Sequence, residues 1–394
     1  MDLSNQGPSN CYTTVSKFAT NLFSKESIYT NENIVVSPTG TLLTLSMILS
    51  GASGESLEEL LHVMGFANEV ELSQYAIFIK DEINYLAEMH VLNVKTKIYT
   101  NANLRSIFTQ KVMELYNGKV RKVNGFGDPQ ETLRKKVNAW LAKHTQQILC
   151  DVIKENVLYD TPQIIGSCAS FFQCSWAKTF TTGPGNFKSF MKQETVVQMI
   201  KCEDKFRLCN FKPLKSTVIE IPYNCGSISM WIVLPDPSVQ LDYVENEITG
   251  ELVESMVFQS KMQKVTVDIP KFRISCGVEL RHALEGIGIK TVFDKSSANL
   301  SRMSYNTSLV VTSIAHESLL EIDENGTWAN PPNAVNGLVP MTDLNEGINI
   351  SETDNVQTKS SFYCDRPFLF FIRHNKLQHI IFIGRVMKLH SLSN

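Results

Sequence analysis

The stretch FYCDRPFLFFIRHNKLQHIIFIGRV, residues 362 to 386, decides the fold. An apolar triplet leads into Asp365-Arg366-Pro367-Phe368. PFLFFIRH and HIIFIGRV then read as two strands around a short turn, the second ending in Gly384-Arg385. Further strands lie upstream in KVTVDIPKFRIS and SLVVTSIAHESLLEID. STVIEIPY and SISMWIVLPD, separated by Asn224, Cys225 and Gly226, read as a hairpin.

Helix signals crowd the first third. In VVSPTGTLLTLSMILSG, Ser37 stands as N-cap and Pro38 at the first helical position. The residues that follow are apolar nearly all round, which predicts a helix buried on every side. ESLEELLHVMGF and LRSIFTQKVMELYNGK each carry one apolar face. In DPQETLRKKVNAWLAKHTQQI, Asp128 caps, Pro129 opens and Glu131 takes the capping-box position. Leu133, Val137, Trp140, Leu141 and Ile148 recur there at helical spacing. Helices first and long strands later, with no βαβ alternation, give an α+β chain with large antiparallel or mixed sheets.

At 394 residues and 43% hydrophobic content the chain can bury a large core, as two or three domains or one large one. A net charge of −3 gives no reason to expect nucleic acid or an anionic membrane as partner. The polar start MDLSNQGPSN holds no signal-peptide core, and no run of about 18 apolar residues could span a bilayer. Nine cysteines are scattered and never spaced CxxC, so free thiols in a reducing compartment are expected. Sequons at Asn299, Asn306, Asn325 and Asn349 carry no meaning in such a compartment. No GxSxG elbow, HExxH or phosphate-cradling glycine loop occurs, and the eight histidines are dispersed. An enzyme is the weakest reading, and nothing asks for a cofactor or metal.

The C-terminal stretch strongly resembles the signature of the serpins. NENIVVSPTGTLLTLSMILSGASG is similar to the family's buried second helix, and SCASFFQCSWAKTF to the strand that carries its tryptophan, here Trp176. The resemblance spans nearly the whole chain and implies a single serpin domain over residues 1–394. That fold has three β-sheets, about eight or nine helices and an exposed reactive-centre loop, here at about residues 325–361. It also implies a monomer whose partner is a serine protease held in a covalent acyl complex. Such a protein would be cytoplasmic, or would reach the extracellular space or cell surface without a cleaved signal peptide.

EIDENGT, residues 321 to 327, resembles the hinge that joins a long central strand to the bait loop. After cleavage in an inhibitory serpin this segment enters the sheet as a new strand and drags the acylated protease with it. Glu324, Asn325, Gly326, Thr327 and Ala329 are the hinge residues by resemblance. Glu324 and Lys271 match a charged pair beside Trp176, and Ser37 and His316 match two members of a polar cluster beneath the sheet. Gly40 and Cys168 replace the usual serine and asparagine of that cluster, so it holds fewer hydrogen-bonding groups.

The loop then departs from the inhibitory pattern at Trp328, Asn330, Pro331 and Pro332. Proline lacks the N–H that a central ladder needs. Two missing donors cost about 2–6 kcal/mol, against a dozen or so ladder bonds at about 0.5–1.5 kcal/mol each. Insertion is therefore weakened and slowed but not forbidden. The loop is also long, with 41 positions from Gly326 to Pro367.

The family spacing puts the cleaved residue about sixteen positions past Glu324, which lands on Pro340. Proline is poor there, so the expected bond is Met341–Thr342, with Leu338 second, for a chymotrypsin- or elastase-like protease. Lys359–Ser360, the one basic site in the loop, would be cut as a substrate on a slack tether. Two functions remain open: suicide inhibition of a serine protease, and a non-inhibitory serpin that binds, stores or chaperones.

Overall fold

The apolar periodicity of the first third folds into helices. The computed structural model describes residues 11–123, 129–144, 152–154, 163–305, 309–328 and 360–391. Its first part holds α1 (Cys11–Ser27), β1 (Ile34–Val36), α2 (Pro38–Leu49), α3 (Gly54–Met64) and α4 (Glu69–Glu88). β2 (Leu92–Thr100), α5 (Ser106–Tyr116), β3 (Lys119–Lys122) and α6 (Pro129–His144) follow. Ser37 caps α2 by accepting the Gly40 N–H at 3.3 Å, and every residue of that helix is buried, as its sequence predicts. Leu133, Val137 and Leu141 of α6 join a small second core with Tyr99, Ile165 and Ala315. The expected cap Asp128 and the stripe residue Ile148 lie outside the described residues. Glu131 pairs with Arg134, one turn on, at 2.7 Å.

Strands dominate thereafter: β4 (Gln163–Phe172), β5 (Cys174–Ser175), β6 (Thr181–Lys188), β7 (Glu194–Phe211), β8 (Ser216–Pro222) and β9 (Ile228–Pro235). Next come α7 (Leu241–Glu247), α8 (Gly250–Gln259), β10 (Lys261–Pro270), β11 (Phe272–Glu279) and α9 (Arg281–Gly286). The chain closes through β12 (Val310–Ile322), β13 (Gly326–Trp328), β14 (Ser360–Tyr363), β15 (Phe368–His374) and β16 (His379–Val386). Nine α-helices stand among the described residues.

One sheet runs β3-β2-β4-β12-β13-β5, with β11 also on β12. The other runs β1-β16-β15-β9-β8-β7-β10-β14, with β6 on β7. It joins two of the three expected sheets through the long β7. Residues 194–201 of β7 pair with β6, whereas residues 207–211 pair with β8. KVTVDIPKFRIS, read as one strand, is two. β10 ends at Pro270 in the nine-stranded sheet, and β11 starts at Phe272 in the seven-stranded one. Lys271 sits at that crossing, its N–H donating to the Gln198 carbonyl at 2.8 Å.

The C-terminal pair is buried along its whole length. Phe382 of β16 meets Phe172 of β4, and Phe368 and Phe370 of β15 meet Phe272 of β11. The core therefore lies between the two sheets. Arg385 is buried, and its Nη1 donates to both carboxylate oxygens of buried Glu245 at 2.7 and 2.9 Å, fastening α7 to β16.

Candidate functional site at the end of the central strands

β4 and β12 are parallel neighbours from Gln163↔Val310 to Phe171↔Leu319. Beyond that point another strand comes between them. β13 pairs with β12 through Ile322↔Thr327 and with β5 through Gly326↔Ser175 and Thr327↔Cys174. The chain turns back at Asp323, whose carboxylate accepts the N–H groups of Asn325 at 2.7 Å and Gly326 at 3.1 Å. The Asp323 N–H closes the turn on the Gly326 carbonyl at 3.0 Å.

Gly326 is required by contact. A Cβ there would lie 2.1 Å from the Cys174 carbonyl oxygen and 2.7 Å from the Ser175 Cα. Thr327 follows, fully buried, with its hydroxyl 2.5 Å from the Tyr223 hydroxyl. Tyr223 stacks on Trp176 with ring centroids 4.6 Å apart and planes inclined by 14°. The Trp176 indole donates to the Asp323 carbonyl at 2.8 Å, and its backbone N–H donates to the Asn325 carbonyl at 3.0 Å. Glu324 forms an ion pair with Lys271 from the inter-sheet crossing. Burial works upward on the Glu324 carboxyl, but the Lys271 hydrogen bond holds it below its ordinary value.

Deeper along the same seam, His316 of β12 faces Cys168 of β4. His316 Nε2 accepts the Ser37 N–H at 3.0 Å and lies 2.8 Å from the Ser318 hydroxyl. Burial pushes the His316 pKa down to about 3, so the ring is neutral. Ser37 Oγ donates to the Ile381 carbonyl at 3.0 Å. A helix end, a central strand and a strand of the other sheet thus meet at one polar knot.

A family model described as Serpin (serine protease inhibitor) matches residues 13–389. The chain is a serpin. Serpin B5 of Rattus norvegicus is 28% identical over 90% of this chain and 92% of its own length. The leukocyte elastase inhibitor of Xenopus tropicalis is 27% identical over the same shares. Among solved structures, maspin superposes with a TM-score of 0.81, at 24% identity over 96% of this chain and 98% of its own. Protease nexin-1 with heparin superposes at 0.79, at 24% identity over 96% and 99%.

In this serpin the fold brings together Glu324, Asn325, Gly326, Thr327, Trp176 and Lys271 at one end of the seam, and Ser37 with His316 beneath. Ser360 is placed in β14, opposite Val265, with its hydroxyl 3.0 Å from Gln263 Oε1. Ala329, Leu338, Pro340, Met341, Thr342 and Lys359 lie outside the described residues. Sequence reasoning missed Tyr223, Asp323 and Cys174, which complete the contacts around Gly326 and Thr327. A local signal existed only for Asp323: an aspartate ahead of a polar, glycine-containing stretch favours an Asx turn, here closed on the Asn325 N–H two residues on.

Gly40 and Cys168 prove to be matched. A Cβ on Gly40 would come 2.1 Å from Cys168 Sγ and 2.8 Å from Ser170 Oγ. The thiol occupies the space that a serine side chain on α2 would need, and it lies 3.3 Å from Ser170 Oγ. The cluster thus trades polar bonds for packing.

Among the described residues, no group of three or more His, Cys, Asp or Glu could hold a metal ion. None of their helices is long and apolar enough to cross a membrane.

Proposed function

We propose that this serpin inhibits a serine protease as a suicide substrate, through a reactive-centre loop at about residues 325–361 of a single 1–394 domain. The observation that supports this most is the position of Gly326 and Thr327. They already occupy the first two places between β12 and β5, so insertion lengthens a strand that exists rather than nucleating one. A cut at Met341–Thr342 would free enough chain to continue that strand along the seam, with Leu338 as the second choice. This suits a chymotrypsin- or elastase-like pocket, and a related elastase inhibitor is among the relatives. Lys359–Ser360 suits inhibition poorly, because Ser360 is held in the β14–β10 ladder. The scattered cysteines, seven of them free thiols in the described residues, fit a cytoplasmic protein or one released without a cleaved signal peptide.

A second reading, a serpin that binds a partner without inhibiting by insertion, is favoured by Pro331 and Pro332. They fall just past β13, where the next ladder donors are needed. Cleavage in the loop separates the two readings. An inserted strand raises the melting temperature of the cleaved protein above that of the intact one, and no rise supports the second reading.

A further inference from the structure

Two cysteines flank the strand that receives Thr327. Trp176 and Tyr223 form an antiparallel bridge, with the Ala177 N–H on the Pro222 carbonyl at 2.9 Å and the Asn224 N–H on the Ser175 carbonyl at 3.0 Å. Cys174 lies two residues before Trp176, and Cys225 two residues after Tyr223, in the turn that the Gly226 N–H closes on the Tyr223 carbonyl at 3.2 Å. The thiols interact side chain to side chain, and Cys174 Sγ also donates to Asn224 Oδ1 at 3.3 Å. Cys174 is buried and Cys225 is half-buried.

We propose that Cys174 and Cys225 are a redox modification site: a dithiol that a small-molecule disulfide converts reversibly into a disulfide, fastening β5 to the 223–226 turn. The two sulfurs are chemically unequal. The Cys225 thiol is drawn down to about 7, chiefly by its hydrogen bond with Cys174, while Cys174 is pushed up by the same bond and by burial. Burial holds Cys168, Cys202, Cys209, Cys276 and Cys364 above their ordinary value. Cys225 thiolate attacks one sulfur of the small disulfide and expels the first thiolate. Cys174 loses its proton and attacks the mixed disulfide at the Cys225 sulfur, and the second thiolate leaves. The protein gives up two electrons and two protons, and one small disulfide becomes two small thiols.

The consequence follows from the ladder. β5 pairs with Gly326 and Thr327, so a bond from Cys174 to a turn of the other sheet restrains the strand that must shift as more of the loop enters. This consequence rests on the insertion reading above, whereas the disulfide itself does not.

The test treats the reduced full-length protein with glutathione disulfide and maps its peptides without reduction. The expected product is a peptide pair joined through Cys174 and Cys225 that separates on adding dithiothreitol. Cys174→Ser should stop at a stable glutathione adduct on Cys225, and Cys225→Ser should give neither. A wild-type adduct that persists on Cys225 without closing onto Cys174, or oxidation only at other cysteines, overturns the proposal. After loop cleavage, the oxidised protein should gain heat resistance about tenfold more slowly than the reduced one. Equal rates overturn the restraint. Reduced protein that gains none contradicts the insertion reading instead, and the peptide map still decides the disulfide.

Discussion

The Thr327 hydroxyl lies 2.5 Å from the Tyr223 hydroxyl in a place closed to water, one residue past the glycine that lets the chain in. That bond holds β13 against the residue that follows β8. Tyr223→Phe leaves the Thr327 hydroxyl buried without its partner, a cost of about 1–3 kcal/mol. The expected outcome is release of the hinge, seen as faster nicking near Gly326 and greater quenching of Trp176 by acrylamide. The double variant Tyr223→Phe/Thr327→Val removes both polar ends and should restore most of the protection.

Gly326→Ala should expel the hinge outright. Its added methyl meets backbone atoms of Cys174 and Ser175, which cannot swing aside as a side chain tip does. Inhibition should fall at least tenfold while the far-ultraviolet spectrum of the protein stays unchanged, since α-helical content is remote from the contact. Unchanged inhibition would show that the Gly326 contact does not matter to insertion.

Gly40 and Cys168 should couple. Gly40→Ser alone overpacks the seam and should cost about 1–3 kcal/mol. Cys168→Ala removes the sulfur that the new side chain strikes, so the double variant should recover at least about 0.5 kcal/mol relative to additivity. Denaturant unfolding of the four proteins measures this.

Acid should destabilise the protein through its buried imidazoles. Burial pushes His316 and His379 each down to about 3. Between about pH 6.5 and pH 3 the unfolded chain binds protons that these folded residues refuse, so stability falls as pH falls through that window. The contribution is fully present above about pH 6.5. By about pH 5 each histidine removes about 2 kcal/mol. His316→Gln should flatten the slope of unfolding free energy against pH by one histidine's share.

The C-terminal strands were legible because DRPF and the two long apolar runs after it are local and continuous. Helix α2 was legible for the same reason, from Ser37, Pro38 and the unbroken apolar face. The division of KVTVDIPKFRIS between two sheets was not, although Pro270 was the available signal, because both halves alternate like one strand. Tyr223 and Cys225 were hidden more deeply. They sit about a hundred residues from Thr327 and about fifty from Cys174, and only the pairing of Trp176 with Tyr223 brings them together. The Gly40–Cys168 exchange looked in sequence like a loss of hydrogen bonds. Its packing logic appears only when α2 is laid on β4.

Replacing Pro331 and Pro332 by alanine restores two backbone donors, three and four positions past Trp328, without adding bulk. The number of inhibitor molecules consumed per protease inactivated should fall. A number that stays level or rises contradicts the role given to the prolines.

The most direct test mixes the protein with chymotrypsin- and elastase-like proteases, isolates any complex that survives boiling in SDS, and identifies the released peptide by mass spectrometry. The account predicts a stable complex and a released fragment beginning at Thr342. No stable complex with any such protease, or a fragment beginning at Ser360 from an inhibited one, would contradict it.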